Sequence, residues 1–236
     1  MGKEGTDEKT AFSKIALFDS KGLVSKNRPD ELAENKVPFA HDLPLCATFV
    51  EAVKTFKPTA IVGVSAQPKA FSKEVIEALC EVTETPIVFA LSNPTSKAEC
   101  TAEEAYTYSN GKCLFACGSP FAPVSVNNKT FVPRQGNNSY VFPGIGLGCI
   151  VTRTKTVPDG LFLVAAKRLA DLVSDSDLAN GSLYPPLSEV RNLSAEIATA
   201  VAEYCFDEGI AQVERPADVA KAVRDAMWRP EDGFEA

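Results

Sequence analysis

The chain has 236 residues, enough for one large or two small domains with a sizeable hydrophobic core. Its formal net charge of −7 and its pI near 4.9 argue against nucleic acids or anionic membranes as main partners. No apolar run reaches the roughly 18 residues of a membrane span, and the charged N-terminus lacks the apolar core of a secretory signal. The protein is therefore expected to be intracellular, and these properties do not choose between the cytoplasm and an organelle (mitochondrion or plastid).

Four short apolar runs alternate with helical patterns through the first half of the chain. They cover residues 14–19 (KIALFD), 60–65 (AIVGVS), 86–92 (PIVFALS) and 112–119 (KCLFACGS). Nearly continuous apolar runs of this length are typical of parallel strands that are covered on both faces. The alternation predicts the α/β fold class, with right-handed crossovers in an incomplete, Rossmann-like, doubly wound parallel sheet.

The segments between the runs carry helix and turn signals. Helical spacing of apolar residues predicts a helix within 45–56, and Ser72 is the expected N-cap of the next helix. Thr101 and Glu104 form the T-x-x-E pattern of a capping box. Residues 123–133 are typical of a β-hairpin with an Asn-Asn turn.

From Pro143 onward the pattern is helical and continues as a C-terminal helical extension. We therefore divide the sequence into a polar tail (1–13), a sheet-centred domain (14–143) and C-terminal helices (144–236) packed on that same domain. The motif GIGLG (144–148) lacks the strand-then-acid context of a phosphate loop, so its glycines are predicted to permit close helix packing.

Seven scattered cysteines, mostly inside apolar runs, are typical of reduced core thiols in an intracellular protein. Cys113 and Cys117 alone do not make a zinc site, because further ligands are needed and His41 is the single histidine. The same scarcity of histidine disfavours a Ser–His or Cys–His catalytic pair.

Three asparagines, Asn93, Asn137 and Asn138, follow strand-like runs. Ligands of open α/β sheets bind beyond the carboxyl ends of the strands. An Asn amide offers both a donor and an acceptor, which suits a carboxylate or a nicotinamide carboxamide. We interpret the three as binding residues that converge on one crevice; the alternative is that they are turn residues, since Asn tolerates left-handed backbone.

A Rossmann unit opens with a strand, a glycine-rich turn that holds the pyrophosphate, a helix and a second strand that ends in an acid. The run 14–19 ends in Asp19, so we expect the chain to begin at that second strand. Ser20, Lys21 and Lys36 follow, and a hydroxyl with two ammonium groups would stabilise the 2′-phosphate of NADP. The alternative is that these are solvated surface residues.

Long motifs resemble the C-terminal half of malic enzyme over roughly Lys14 to Trp228. They are KIALFDSKGLV, KPTAIVGVS, PIVFALSNPTSKAECTAEEAY, LFACGSPF, FVPRQGNNSYVFPGIGLG and LYPPLSEVR. The resemblance implies the oxidative decarboxylation of (S)-malate to pyruvate and CO2 with NAD(P) and a Mg or Mn ion. It also implies that residues 14–143 are a partial NAD(P)-binding domain, and that the protein forms homo-oligomers or associates with full-length malic enzyme subunits.

The resemblance assigns roles by motif. It implies malate-binding roles for Asn93, Asn137 and Asn138. It implies cofactor-binding roles for Asp19, Ser20, Lys21, Lys36, Ser65, Asn93 and Asn137. Ser20 and Lys36 stand where NADP-preferring members carry Ser and Lys, which favours NADP over NAD.

The sequence also departs from the family pattern. The catalytic tyrosine and lysine, the metal-binding carboxylates and the first phosphate loop belong to an upstream half whose motifs are not in this sequence, so no catalytic residue or metal ligand is assigned. Pro68 and Lys69 stand where relatives are glycine-rich, Arg134 where a small residue is usual, and Cys117 where Ser is usual.

Several interpretations of this half-length resemblance stay open. The first is a C-terminal segment or truncated malic enzyme that is inactive by itself. The others are a non-catalytic paralogue that assembles with full-length subunits, a plain nucleotide-binding module, and a partial gene model.

Overall fold

A computed structural model of the chain describes residues 5–229. The chain divides into two compact units at Pro133 and Arg134. The first unit contains every strand found within the described residues, and the second is helical. The division predicted from the sequence pattern, at 13/14 and 143/144, stays a prediction.

The first unit is built on a three-stranded parallel sheet in the order β3 (Ala60–Gly63), β4 (Ile87–Ala90) and β5 (Leu114–Cys117). The crossovers contain α3 (Lys73–Val82) and α4 (Ala102–Tyr108). The α/β fold class with an incomplete parallel sheet is therefore confirmed.

The buried residues of the three parallel strands pair with one another across the sheet. Ile61 pairs with Val88, and Val88 with Phe115. All three side chains are buried in the main hydrophobic core of the unit. Because strands β3, β4 and β5 run in the same direction, their carboxyl ends meet at one edge of the sheet.

The remaining elements of the first unit flank this sheet in sequence. They are α1 (Glu8–Ser13), β1 (Phe18–Asp19), β2 (Gly22–Leu23), α2 (Phe49–Phe56), β6 (Val124–Val126) and β7 (Lys129–Phe131). Strands β6 and β7 form the predicted antiparallel hairpin. Its turn residues, Asn127 and Asn128, both have positive φ, as an Asn-Asn turn allows.

Helix starts in this unit follow the local signals. The capping box predicted for α4 is confirmed: Glu104 N–H donates to Thr101 Oγ1 (3.1 Å) and Thr101 N–H donates to Glu104 Oε2 (2.8 Å). Ser72 is the N-cap of α3, but its hydroxyl donates to the Glu74 carboxylate (2.7 Å) and caps no helix N–H.

The prediction that residues 14–19 form a parallel strand was wrong. Only Phe18 and Asp19 are extended as β1, and they pair antiparallel with β2. The Val24 N–H donates to the Leu17 carbonyl (2.8 Å) and continues this pairing. A hairpin partner lies a few residues away, so closing it costs little chain entropy, whereas parallel pairing needs a strand that arrives from elsewhere.

The second unit is a helical assembly around α8 (Val190–Asp207). The other helices are α5 (Phe142–Thr152), α6 (Asp159–Asp171), α7 (Asp175–Ala179) and α9 (Val219–Asp225). Ile197, Val201 and Cys205 of α8 are completely buried. Among residues 5–229, no helix is both long enough and apolar enough to span a membrane.

The GIGLG motif lies inside α5, and its glycines allow α5 to approach α8. A Cβ added to Gly144 would lie 2.7 Å from Ile197 Cβ, and one added to Gly148 would lie 2.6 Å from Val201 Cγ1. Both separations are far below van der Waals contact. The prediction that these glycines permit close helix packing is confirmed.

Candidate functional site

The hairpin of β1 and β2 holds a cluster of ion pairs centred on Asp19. Asp19 Oδ2 accepts from Lys36 Nζ (2.6 Å), and Asp19 Oδ1 accepts from the Lys21 backbone N–H (2.9 Å). Three residues predicted for the cofactor site, Asp19, Lys21 and Lys36, are thereby brought together. Ser20, between the first two, is exposed.

Two members of this cluster were missed by the sequence analysis. Arg28 Nη1 donates to Asp19 Oδ1 (2.9 Å), and its Nε and Nη2 donate in bidentate fashion to the two oxygens of Asp30 (2.8 and 2.7 Å). The Arg28 side chain is only 4% exposed. Lys21 Nζ also reaches Asp30, at 3.1 Å. The available signal was the motif NRPD, in which an arginine and an aspartate flank a proline that restricts the backbone.

The cluster contains three cations (Lys21, Arg28, Lys36) and two carboxylates (Asp19, Asp30), so positive charge is in excess. Burial acts to raise the pKa of Asp19, but hydrogen bonds from Lys36, the Lys21 backbone and Arg28 outweigh it and lower the pKa. Hydrogen bonds from Arg28, and to a smaller extent from Lys21, lower the pKa of Asp30. A partly buried cluster with surplus ammonium and guanidinium groups is suited to binding an anionic group such as a phosphate.

The lowered pKa values make the stability of the folded chain sensitive to acid. A carboxyl whose pKa falls on folding stabilises the folded state above its unfolded pKa, ordinarily 3.8 for Asp, and this contribution is lost as the pH falls further. We expect the free energy of unfolding, measured by urea denaturation, to fall less between about pH 6 and pH 3 in Asp19→Asn than in the unmodified chain.

Glu81→Gln is the matched control for this pH series, since Glu81 is an exposed carboxylate on α3. Its acid dependence should equal that of the unmodified chain. An Asp19→Asn variant that lost stability with acid as steeply as the unmodified chain would show that the cluster contributes nothing.

A second group of predicted residues lies at the carboxyl edge of the parallel sheet. Asn93 follows β4 and is exposed. Its Oδ1 accepts from Ser119 Oγ, which follows β5, at 2.6 Å. Ser65 follows β3 and is exposed. Asn93 therefore stands beyond a strand end as predicted; Ser119 was missed, although it is the serine of the quoted LFACGSPF motif.

Asn137 and Asn138 belong to the second unit and are exposed. Asn137 Oδ1 accepts from Ser139 N–H (2.9 Å) and caps the short 3-10 helix Asn138–Tyr140. Asn137 thus uses one lone pair of its amide oxygen to stabilise the local turn. This is the structural role that we gave as the alternative to ligand binding. That these two amides share a crevice with Asn93 stays a prediction.

The metal ion that the family resemblance implies finds no ligand set among residues 5–229. No group of three or more His, Cys, Asp and Glu side chains there could hold a metal ion. His41 contacts the Ile15 carbonyl through Nε2 (2.6 Å), and its ring stacks on Phe56. All seven cysteines are free thiols, five of them buried, and burial raises the pKa of Cys117 to about 11.

Known proteins resemble the chain along nearly all of its length. The family model described as "Malic enzyme, NAD binding domain" matches residues 1–206. The mitochondrial NAD-dependent malic enzyme of Ascaris suum is 45% identical over 232 residues, which cover 98% of this chain and 36% of that protein. The NADP-dependent malic enzyme of Dictyostelium discoideum is 45% identical over 228 residues, which cover 96% of this chain and 42% of that protein.

A solved structure supports the fold. The crystal structure of Entamoeba histolytica malic enzyme aligns with a TM-score of 0.70 at 23% identity, over 95% of this chain and 44% of that chain. The chain therefore spans well under half the length of the proteins it matches. The family match, which includes the Asp19 cluster and the strand-end Asn93, leads to one conclusion: the chain belongs to the malic enzyme family and contains its NAD-binding domain.

Proposed function

We propose that the chain is the cofactor-binding half of a malic enzyme that oxidatively decarboxylates (S)-malate to pyruvate and CO2 with NADP. The Asp19 cluster is the observation that carries this proposal. Its three cations face two carboxylates, and the surplus charge suits the 2′-phosphate that distinguishes NADP from NAD. NAD is the second candidate, because an NAD-dependent relative matches at 45% identity.

In this proposal Asn93, Asn137 and Asn138 bind malate, and Asn93 and Asn137 also bind the nicotinamide end of the cofactor. The exposed amide of Asn93 is anchored by Ser119, which leaves its NH2 group as a donor for a carboxylate or a carbonyl. When bound, the cofactor accepts the hydride from malate. Ser65 lies at the same sheet edge, and Ser20 lies next to the Asp19 cluster.

These asparagines orient the ligands and do not catalyse the reaction. Oxidation of malate needs a base for the hydroxyl proton, and the enol of pyruvate needs an acid for its protonation. A side-chain amide does not exchange protons near neutral pH, so it serves neither step and acts by holding the reactants in place. We therefore propose that the chain alone does not turn over malate.

The proposed association with further malic enzyme subunits, of this chain or of full-length ones, has a surface to support it. Val62 and Val64, in and just after the strand β3, are 56% and 74% exposed. Contiguous exposed apolar surface marks sites of protein–protein interaction, and these two side chains are only two residues apart. Val64→Ser is expected to weaken that association.

The cofactor proposal is tested by titrating the purified chain with NADP and NAD in a calorimeter. NADP is expected to bind more tightly, and Lys36→Gln should weaken NADP binding on the order of tenfold and leave NAD unchanged. Lys26→Gln, an exposed lysine outside the cluster, is the matched control. If the chain bound neither NADP nor NAD, the cofactor role would be overturned.

Activity is tested separately by incubating the chain with malate, NADP and Mn²⁺ and following NADPH absorbance. No sustained NADPH formation is expected. Continued NADPH production by the purified chain would show that it supplies its own acid and base.

A further inference from the structure

Glu99 is a completely buried carboxylate in the segment between β4 and α4. It lies directly against the end of β3. A Cβ added to Gly63 would come within 2.3 Å of Glu99 Cδ and 2.7 Å of Glu99 Oε1. Only a residue without a side chain at position 63 leaves room for the carboxylate where it stands.

No cation neutralises this carboxylate, because none of the ion pairs among residues 5–229 involves Glu99. The Ser92 hydroxyl donates to Glu99 Oε1, and the Ser92 N–H donates to Oε2 (3.4 Å). Burying a carboxyl group with so few partners costs free energy, and an apolar side chain of similar size would avoid that cost.

A further hydrogen bond links Ser92, which follows β4, to the loop after the neighbouring strand β3. Ser92 Oγ accepts from the Ala66 N–H (2.9 Å), in the loop that follows β3. The next residue, Asn93, accepts from Ser119, in the segment that follows β5. Ser92 can donate to Glu99 and accept from Ala66 at once because a hydroxyl does both. Glu99 thereby orients the hydroxyl that joins the loops at the carboxyl edge of the sheet.

The geometry points to Glu99 as a positioning residue for the cofactor site. Through its hydrogen bonds with Ser92, Glu99 holds the loop that presents Asn93. The Ser92 hydroxyl in turn fixes the position of the Ala66 N–H. This inference rests on the proposed function, which places the nicotinamide end of the cofactor at Asn93. Glu99 touches neither the cofactor nor the substrate in this role.

The decisive variant is Glu99→Gln, which keeps the shape of the side chain. Its NH2 group must face either the Ser92 N–H or the Ser92 hydroxyl. The first is a donor–donor contact, and the second turns the hydroxyl into an acceptor and takes away the carboxylate partner of its own hydrogen, so one hydrogen bond of the present network is lost in either case. NADP affinity is expected to fall on the order of tenfold. Gly63→Ala, which displaces the carboxylate with a Cβ, should produce a loss of similar size.

Ile76→Val is the matched control for a merely structural effect. Ile76 is completely buried on α3 in the core of the same unit, and none of the loop hydrogen bonds involves it. The variant should lower the melting temperature and leave NADP affinity of the folded chain unchanged.

Amide hydrogen exchange supplies a readout that does not need the nucleotide. In Glu99→Gln, exchange at Ala66 and Ser92 relative to Val88 in β4 is expected to rise on the order of tenfold, because both amides donate into this network. In Ile76→Val this ratio should not change.

The outcomes separate the two proposals. If the unmodified chain binds neither nucleotide, the proposed function fails, and an unchanged exchange ratio in Glu99→Gln would then overturn the positioning role as well. If the unmodified chain binds NADP and Glu99→Gln binds it equally well, the positioning role of Glu99 is overturned while the cofactor site stands.

Discussion

Gly148→Ala is expected to lower the free energy of unfolding of the helical unit by about 2 to 3 kcal/mol. The added Cβ would lie 2.6 Å from Val201 Cγ1 and 2.9 Å from the Ala198 carbonyl oxygen. A backbone oxygen inside α8 cannot rotate away, so α5 must shift along its whole contact with α8. Urea denaturation followed by circular dichroism measures the loss.

Gly146→Ala is the control within the same motif, and its effect should have the opposite sign. Apart from its chain neighbours and the adjacent backbone of its own helix, no heavy atom lies within 4 Å of the Cβ position at Gly146, which is exposed. Replacing an interior helix glycine by alanine at an open site stabilises by about 0.5 to 1 kcal/mol. Equal effects at the two positions would contradict the packing role of Gly148.

Arg28→Ala is expected to disrupt the Asp19 cluster and with it the preference for NADP. Arg28 is the one cation of the cluster whose side chain is almost fully buried, and it bonds both carboxylates. Its loss leaves two lysines against two carboxylates, so the surplus charge available to a 2′-phosphate disappears. We expect NADP affinity to fall on the order of 10- to 100-fold, with a smaller change for NAD.

The same variant should also unfold more easily, by on the order of 2 kcal/mol, because Asp19 and Asp30 lose a partly buried partner. Arg28→Lys keeps the charge but cannot bond one carboxylate in bidentate fashion while reaching the other, so an intermediate NADP affinity is expected.

Lys26→Ala removes one positive charge from the same segment outside the cluster, and it should leave the NADP-to-NAD ratio unchanged. If Arg28→Ala kept the ratio of the unmodified chain, or if Lys26→Ala lowered it as much, general charge rather than the cluster would govern cofactor choice.

The elements that could be predicted from the sequence are those with a local cause. The parallel strands β3, β4 and β5 were recognisable because each lies in an apolar run between helical patterns, at 60–65, 86–92 and 112–119. The capping box of α4 was recognisable because Thr101 and Glu104 satisfy each other's N–H groups within one turn.

The run 14–19 shows where this reasoning stops. Its apolar pattern fits a parallel strand, but which strand it pairs with depends on what lies beside it in three dimensions. In the structure the backbone of Phe18 and Asp19 pairs with the β2 hairpin partner, and apolar character alone does not report that choice.

Some residues of the candidate site could likewise be predicted from the sequence, and others could not. Asp19, Lys21 and Lys36 were predicted as one group from an acid after an apolar run and the basic residues that follow, and they do meet. The motif NRPD relates Arg28 to Asp30 but not to Asp19, and Glu99 lies next to Gly63 although the two are far apart in the chain.

The sequence by itself determined the family, the α/β class and the strand-end position of Asn93, because these depend on residue order and on interactions within a few residues. Only the tertiary structure decided that Arg28 forms ion pairs with two carboxylates and that Glu99 is buried against Gly63. Ion pairing and close packing depend on distances through space, and the chain brings those residues together only when it folds.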